Sequence, residues 1–161
     1  MNIPSGKQVV SELATSGVDP KKMLGDLMKK NFNGYVSVTC KERFGFEDGF
    51  VILENGVIKG SYYKMLKNQK DAFGKDALAL LLNAFGSGFG TIDIFMLTKE
   101  QVDLMLTFNE KVKFEASDLS KIKDLFKNKY DPNLLGNYIE VQETTSKYDL
   151  FKKIGLGNIK I

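Results

Sequence analysis

The stretch Gly49-Phe50-Val51-Ile52-Leu53-Glu54-Asn55-Gly56-Val57-Ile58-Lys59-Gly60-Ser61-Tyr62-Tyr63 decides the fold of this chain. Two apolar, β-branched runs flank Asn55-Gly56. A two-residue hairpin turn needs positive φ at both central positions, and Asn-Gly meets that need at least cost. The reading is a strand at Phe50–Leu53, a tight turn, and a return strand from Val57 to Tyr63. Upstream, Asn33-Gly34 breaks the chain and Tyr35 to Lys41 alternates. Val36, Val38 and Cys40 fall on one side, and Tyr35, Ser37, Thr39 and Lys41 on the other, as in a half-buried strand.

Outward from this hairpin the period changes to that of helices. Residues 73–85 carry Ala77, Leu78, Leu81, Leu82 and Phe85 on one stripe, widened by Leu80 and Ala84, which predicts a core helix. Gly86-Ser87-Gly88 ends it. Thr91 to Leu97 alternates again as a fourth strand. Thr98-Lys99-Glu100-Gln101 has the form of a capping box, opening a helix that runs to about Lys111. On the N-terminal side, Val9, Val10 and Leu13 predict a short helix over residues 5–15. Asp19-Pro20 predicts an N-cap and first helical position for a second helix reaching Lys30. Residues 115–161 are Lys-rich and read as helical, with starts at Ser117, Asp131-Pro132 and Ser146. The expected architecture is α+β: a small, mostly antiparallel sheet of about four strands packed with helices, plus a helical C-terminal tail. Its divisions are N-terminal helices in residues 1–32, the α+β core in 33–114, and the appendage in 115–161.

The 161 residues contain no histidine, no tryptophan and one cysteine. That excludes His-dependent catalysis, Cys/His zinc sites, His-ligated haem and an internal disulfide. No apolar run approaches the ~20 residues of a membrane span. The N-terminus has no apolar signal region, so a cytoplasmic setting is expected. The net charge is +3, concentrated as +4 in residues 1–70, and 22 of the 23 basic residues are lysine. Arginine is the residue suited to bidentate phosphate and base readout, so this balance fits solubility as well as recognition.

Four groups of residues are candidates for function. Gly86-Ser87-Gly88-Phe89-Gly90 closes a helix and opens a strand. A phosphate loop has the reverse order, so the cluster reads as a cap and turn. Glu47-Asp48 reads as a turn pair, and Asp71 and Asp76 as acidic residues flanking a helix start. Cys40 reads as a buried small hydrophobe. Tyr62-Tyr63-Lys64, with Lys67 and Lys70, interleaves aromatics and lysines in a way that could stack bases and neutralise phosphates. With the sheet residues Tyr35, Ser37 and Thr39, these form the expected interaction surface. No catalytic, metal or cofactor residue is expected.

Asn33-Gly34-Tyr35-Val36 opening a strand, then Gly49 to Tyr62, followed by Gly74-Lys75-Asp76-Ala77-Leu78, resemble the core of PATAN-type domains, which are related in fold to the roadblock/longin type. Gly74 to Leu78, Leu82-Asn83-Ala84, Gly90-Thr91-Ile92-Asp93-Ile94, and Leu97 to Leu104 leading to Phe108-Asn109-Glu110-Lys111 are also similar to an archaeal family of uncharacterised proteins. The resemblance covers residues 30–114 and implies a regulatory or protein-interaction module without catalytic residues. Lys64 to Asp71 and the tail depart from the compact pattern. The expected function is therefore a non-enzymatic, self-associating module with a protein partner. The alternatives are a nucleic-acid- or ribosome-associated factor using the Lys/Tyr surface, and a small-ligand sensor using groups such as Asp93 or Ser61.

Overall fold

The computed structural model describes residues 1–140 and 152. Its elements are β1 (Lys7–Ala14), α1 (Pro20–Lys29), β2 (Gly34–Glu42), β3 (Gly45–Glu54), β4 (Val57–Met65), β5 (Lys70–Phe73), α2 (Gly74–Ala84), β6 (Gly90–Met96), α3 (Lys99–Phe108) and β7 (Lys113–Ala116). A 3₁₀ segment follows at Leu119–Leu125. Residues 1–130 form one compact unit and residues 131–161 a second. In the second, residues 132–140 are helical, and the Asp131 carboxylate accepts from the Asn133 backbone N–H at 2.9 Å.

Asn55 and Gly56 take φ of 48° and 74°, the pair of positive values that the hairpin turn requires. Glycine is needed at the second position for another reason as well. A Cβ there would lie 2.1 Å from the Met28 carbonyl oxygen, because the turn abuts the end of α1. The Gly56 N–H donates to Phe32 O at 3.0 Å, and the Asn55 N–H to Asn33 Oδ1 at 2.7 Å. The helix starts also agree with the sequence. Asp19 accepts from the N–H groups of Lys21 and Lys22, ahead of Pro20. Thr98 and Gln101 complete a reciprocal capping box at 3.2 and 2.9 Å.

The fold is α+β with a mostly antiparallel sheet, but the sheet has seven strands, not about four. The order is β1-β6-β2-β3-β4-β5, with β7 also on β4. The outer edge of β4 is shared: Tyr62–Met65 pair with β5, while Ile58 and Gly60 pair with β7. The stretch from Lys64 to Asp71 is thus mostly the β4–β5 hairpin. The helix expected over residues 5–15 is instead the edge strand β1. Its Val9 and Leu13 stay exposed and its pairing with β6 is twice interrupted by register shifts, so no period of two survives in the sequence. Glu12 takes positive φ there, and its N–H donates to the Asp93 carboxylate. The expected all-helical region from 115 also needs correction. It begins in β7, continues as 3₁₀ structure, and belongs to the first compact unit as far as Tyr130. The helix expected from Ser146 lies outside the described residues.

Cross-strand register sorts the sheet into two faces. Val36, Val38, Gly49, Val51, Ser61, Tyr63, Ile92 and Ile94 share the face covered by α2. A Cβ at Gly49 would sit 3.1 Å from Leu81 Cδ1. The opposite face holds Tyr35, Phe50 and Ile52, packed with Leu97 before α3, Val102 and Met105 in it, and Val112 after it. Leu81 is fully buried at the α2 interface. Leu81→Ala is therefore expected to lower stability by about 2–5 kcal/mol in urea denaturation, as a core truncation that leaves a cavity. A loss under about 1 kcal/mol would show that this interface collapses freely around the missing methyls.

Candidate functional site

On the α3 face, five aromatic rings cross five adjacent strands. Phe95 stacks on Tyr35 at 4.8 Å between centroids. Tyr35 meets Phe50 edge-on at 5.9 Å, Phe50 meets Tyr62 at 5.5 Å, and Tyr62 meets Phe73 at 5.6 Å. These spacings are favourable for aromatic pairs. The row exists because Phe95/Tyr35, Phe50/Tyr62 and Tyr62/Phe73 are direct cross-strand partners, and Tyr35 and Phe50 are diagonal neighbours. Helix α3 covers the sheet on one side of this row. On the other side, past Asp93 and Ser37 in β6 and β2, stands a row aligned across β6, β2, β3, β4 and β5: Thr91, Thr39, Asp48, Lys64 and Asp71. Beyond them stand Phe46, 54% exposed, and Phe89, 80% exposed, bordering a groove of about 380 Å³. Lys41 Nζ lies 5.5 Å from the Phe46 ring.

The expected surface residues do not stay together. Tyr35 is buried in the aromatic row, and Tyr63 is buried on the opposite face. Neither is available to a partner, because residues one apart in a strand point to opposite sides and both sides here are covered. Ser37 is half-buried, with its hydroxyl 3.5 Å from Asp93 O. Thr39 is exposed and donates to Asp48 at 3.1 Å. Tyr62 donates to Asp71 at 3.0 Å. Its phenol is pushed up to about 12, first by burial and then by that carboxylate, so it remains neutral. Lys64 stands between Asp48 and Asp71 as their cross-strand partner. Lys70 pairs with Met65, on the α2 face, and Lys67 lies in the turn between. The lysines therefore do not line one surface.

Glu47-Asp48 is not a turn. Both residues lie within β3 and point to opposite faces, Asp48 outward and Glu47 inward, where it is 1% exposed. The Glu47 carboxyl accepts from the Tyr63 hydroxyl, from Tyr130 at 2.7 Å, and weakly from the Cys40 thiol at 3.9 Å. Burial pushes the carboxyl above the usual range. The two phenols pull it back, and the Glu42 charge adds to the rise. Burial and Glu47 push the Cys40 thiol up to about 12, so it stays protonated at neutral pH. The signal in the sequence was the alternation itself: Gly49 and Val51 are i+2 and i+4 from Glu47, all on one face. The glycine cluster closes α2 and opens β6, as its order indicated, with Gly86 packed under the Tyr130 backbone. Asp76 lies in the first turn of α2.

The raised Glu47 carboxyl has a pH consequence. Native protein holds this proton above the pH at which the unfolded chain releases it, so native protein binds more protons and stability falls as pH rises from about 4.5 through the raised value. Glu47→Gln lacks this dependence. The stability of the parent minus that of the variant is expected to decline with rising pH, by at most about 1.4 kcal/mol per unit, in denaturant titrations across a pH series. A flat difference would contradict it.

Among the described residues no helix is long and apolar enough to cross a membrane, and no three Cys, Asp or Glu side chains converge to hold a metal ion. No curated protein and no solved structure matches the chain. A family model described as uncharacterized protein conserved in archaea (DUF2226) matches residues 1–109, the span from before β1 to the end of α3. The chain belongs to this archaeal family.

Proposed function

We propose that this chain is a protein-interaction module that associates with a second copy of itself through the open part of the α3 face. The observation that carries the reading is the exposed pair Phe46 and Phe89 beside a row bearing both charge signs, Asp48, Lys64 and Asp71. A two-fold interface sets a patch against itself, so it must be self-complementary, and a row with lysine between aspartates meets that condition. Large exposed aromatics next to polar groups are the residues that anchor such contacts. The resemblance to PATAN and roadblock-like domains points to the same regulatory or interaction role. The buried thiol of Cys40 fits a reducing, cytoplasmic setting.

The nucleic-acid alternative draws less support from the geometry. Lys64 is flanked by carboxylates, Tyr63 is buried and the Tyr62 hydroxyl is engaged. A phosphate backbone would meet Asp48 and Asp71 beside the only lysine in that row. Light scattering over a concentration series is expected to show a dimer. The pair Phe46→Ser and Phe89→Ser is expected to weaken it at least about tenfold, because removing a central aromatic anchor typically costs more than about 1 kcal/mol. A monomer at every concentration, or a dimer indifferent to both substitutions, would reject the reading.

A further inference from the structure

A second feature lies apart from Phe46 and Phe89, where the end of α3 meets the β4–β5 hairpin. Tyr62, Phe73 and Phe108 line a cleft of about 490 Å³, with Asp71, Glu110 and Lys111 at its rim and Met1 against it. The volume falls in the range of small-molecule sites. Phe108 is 70% exposed although it ends an amphipathic helix, so this ring is not used in the core. Three aromatic side chains offer electron-rich faces, and Asp71 and Glu110 add two carboxylates. With Lys111 counted, the two carboxylates still leave the lining side chains net negative, which disfavours an anion, and a neutral apolar ligand would use neither carboxylate. A cation uses both. The molecule already seats one there: Lys111 Nζ lies 5.8 Å from the Phe73 ring centroid, within the range of a cation–π contact. Asp71 is held at the rim by the Tyr62 hydroxyl at 3.0 Å.

We propose that this cleft binds small organic ammonium ions, and that Lys111 occupies the cation seat in their absence. The resident ammonium competes with the ligand, so removing it strengthens binding. Phe108→Ser changes no charge, so its expected weakening separates the proposal from a surface that attracts cations merely by net charge; loss of Lys111 or of a carboxylate shifts binding in the same direction for both. Asp71 also belongs to the charged row of the self-association face, but Phe108 and Lys111 do not, so their variants test this site separately from self-association.

The test is an NMR titration that follows the ring resonances of Tyr62, Phe73 and Phe108. The probes are choline and 3,3-dimethylbutan-1-ol, its neutral counterpart of the same shape, at matched ionic strength. Saturable shifts are expected with choline in the millimolar range and not with the alcohol. Lys111→Met is expected to tighten choline binding about two- to fivefold, and Phe108→Ser or Asp71→Asn to weaken it by a similar factor, the scale of one exposed cation–π or charge contact. Lys111, Phe108 and Asp71 are all exposed, and unchanged amide spectra away from the cleft would establish that each variant folds. Equal responses to the two probes, no saturable response in either the parent or Lys111→Met, or weaker binding in Lys111→Met would each overturn the proposal.

Discussion

The central constraint is that β3 is buried on both sides. Phe50, Val51, Ile52 and Leu53 are consecutive and none has more than a trace of exposed surface. Because successive side chains in a strand point opposite ways, each face of the sheet must be covered. Helix α2 covers one face with Leu81 and its neighbours, and α3 covers the other with Val102 and Met105. The connections follow from this demand. A chain that leaves β5 into α2 on one side and returns as β6 can cross to the other side with α3, and Gly90–Met96 then fills the place beside β2. Helix α3 is only ten residues long and does not span the whole face. The exposed end at Phe46 and Phe89 is the part it leaves uncovered.

Polar groups buried by the same layering are satisfied locally. Ser61, within β4 on the α2 side, donates to Gly74 O at 2.8 Å, where the chain turns into α2 with positive φ. Thr15 donates to Ser87 O at 2.7 Å, and Ser87 in turn donates to Glu42 at 2.5 Å. Glu47 is the most costly of these groups, because a carboxyl in an apolar layer must be hydrogen-bonded or neutral. Two tyrosines that are distant in sequence, Tyr63 and Tyr130, converge on it. The last residues of the first compact unit are therefore held to the middle of the sheet.

The elements most legible in the sequence were those where local chemistry and tertiary environment agree. Asn55-Gly56, Asp19-Pro20 and the Thr98 capping box announce themselves because the residues that satisfy the backbone are neighbours in the chain. The wide apolar stripe of α2 was legible because this helix is buried on more than one side, from Leu80 to Ala84 without a break. β1 was not, because it lies at an edge, is interrupted twice, and buries too little for its apolar residues to alternate. β5 and β7 are four residues each, too short to carry a period, and they exist only because β4 offers them an edge. At the candidate site, the aromatic row could not be read from the sequence. Its five members come from five strands, and only the register aligns them. The same register explains why Tyr62 and Tyr63, adjacent in sequence, have different fates, and why Lys64 stands between two aspartates and not on a basic surface.

The position of β6 bears on the order in which the chain can assemble. Among the described residues β1 pairs only with β6, some eighty residues downstream, and β6 is also what closes the free edge of β2. The β2–β5 meander consists of sequence neighbours and can form as soon as it leaves the ribosome, as local pairings do. Until Gly90–Met96 has been synthesised, that meander exposes the whole of β2 as an unpaired template for other nascent chains. Insertion of β6 replaces this long, regular edge with β1, whose register shifts and positive-φ Glu12 make a poor template. This twice-interrupted strand thus ends a period of vulnerability to aggregation that the strand order itself creates.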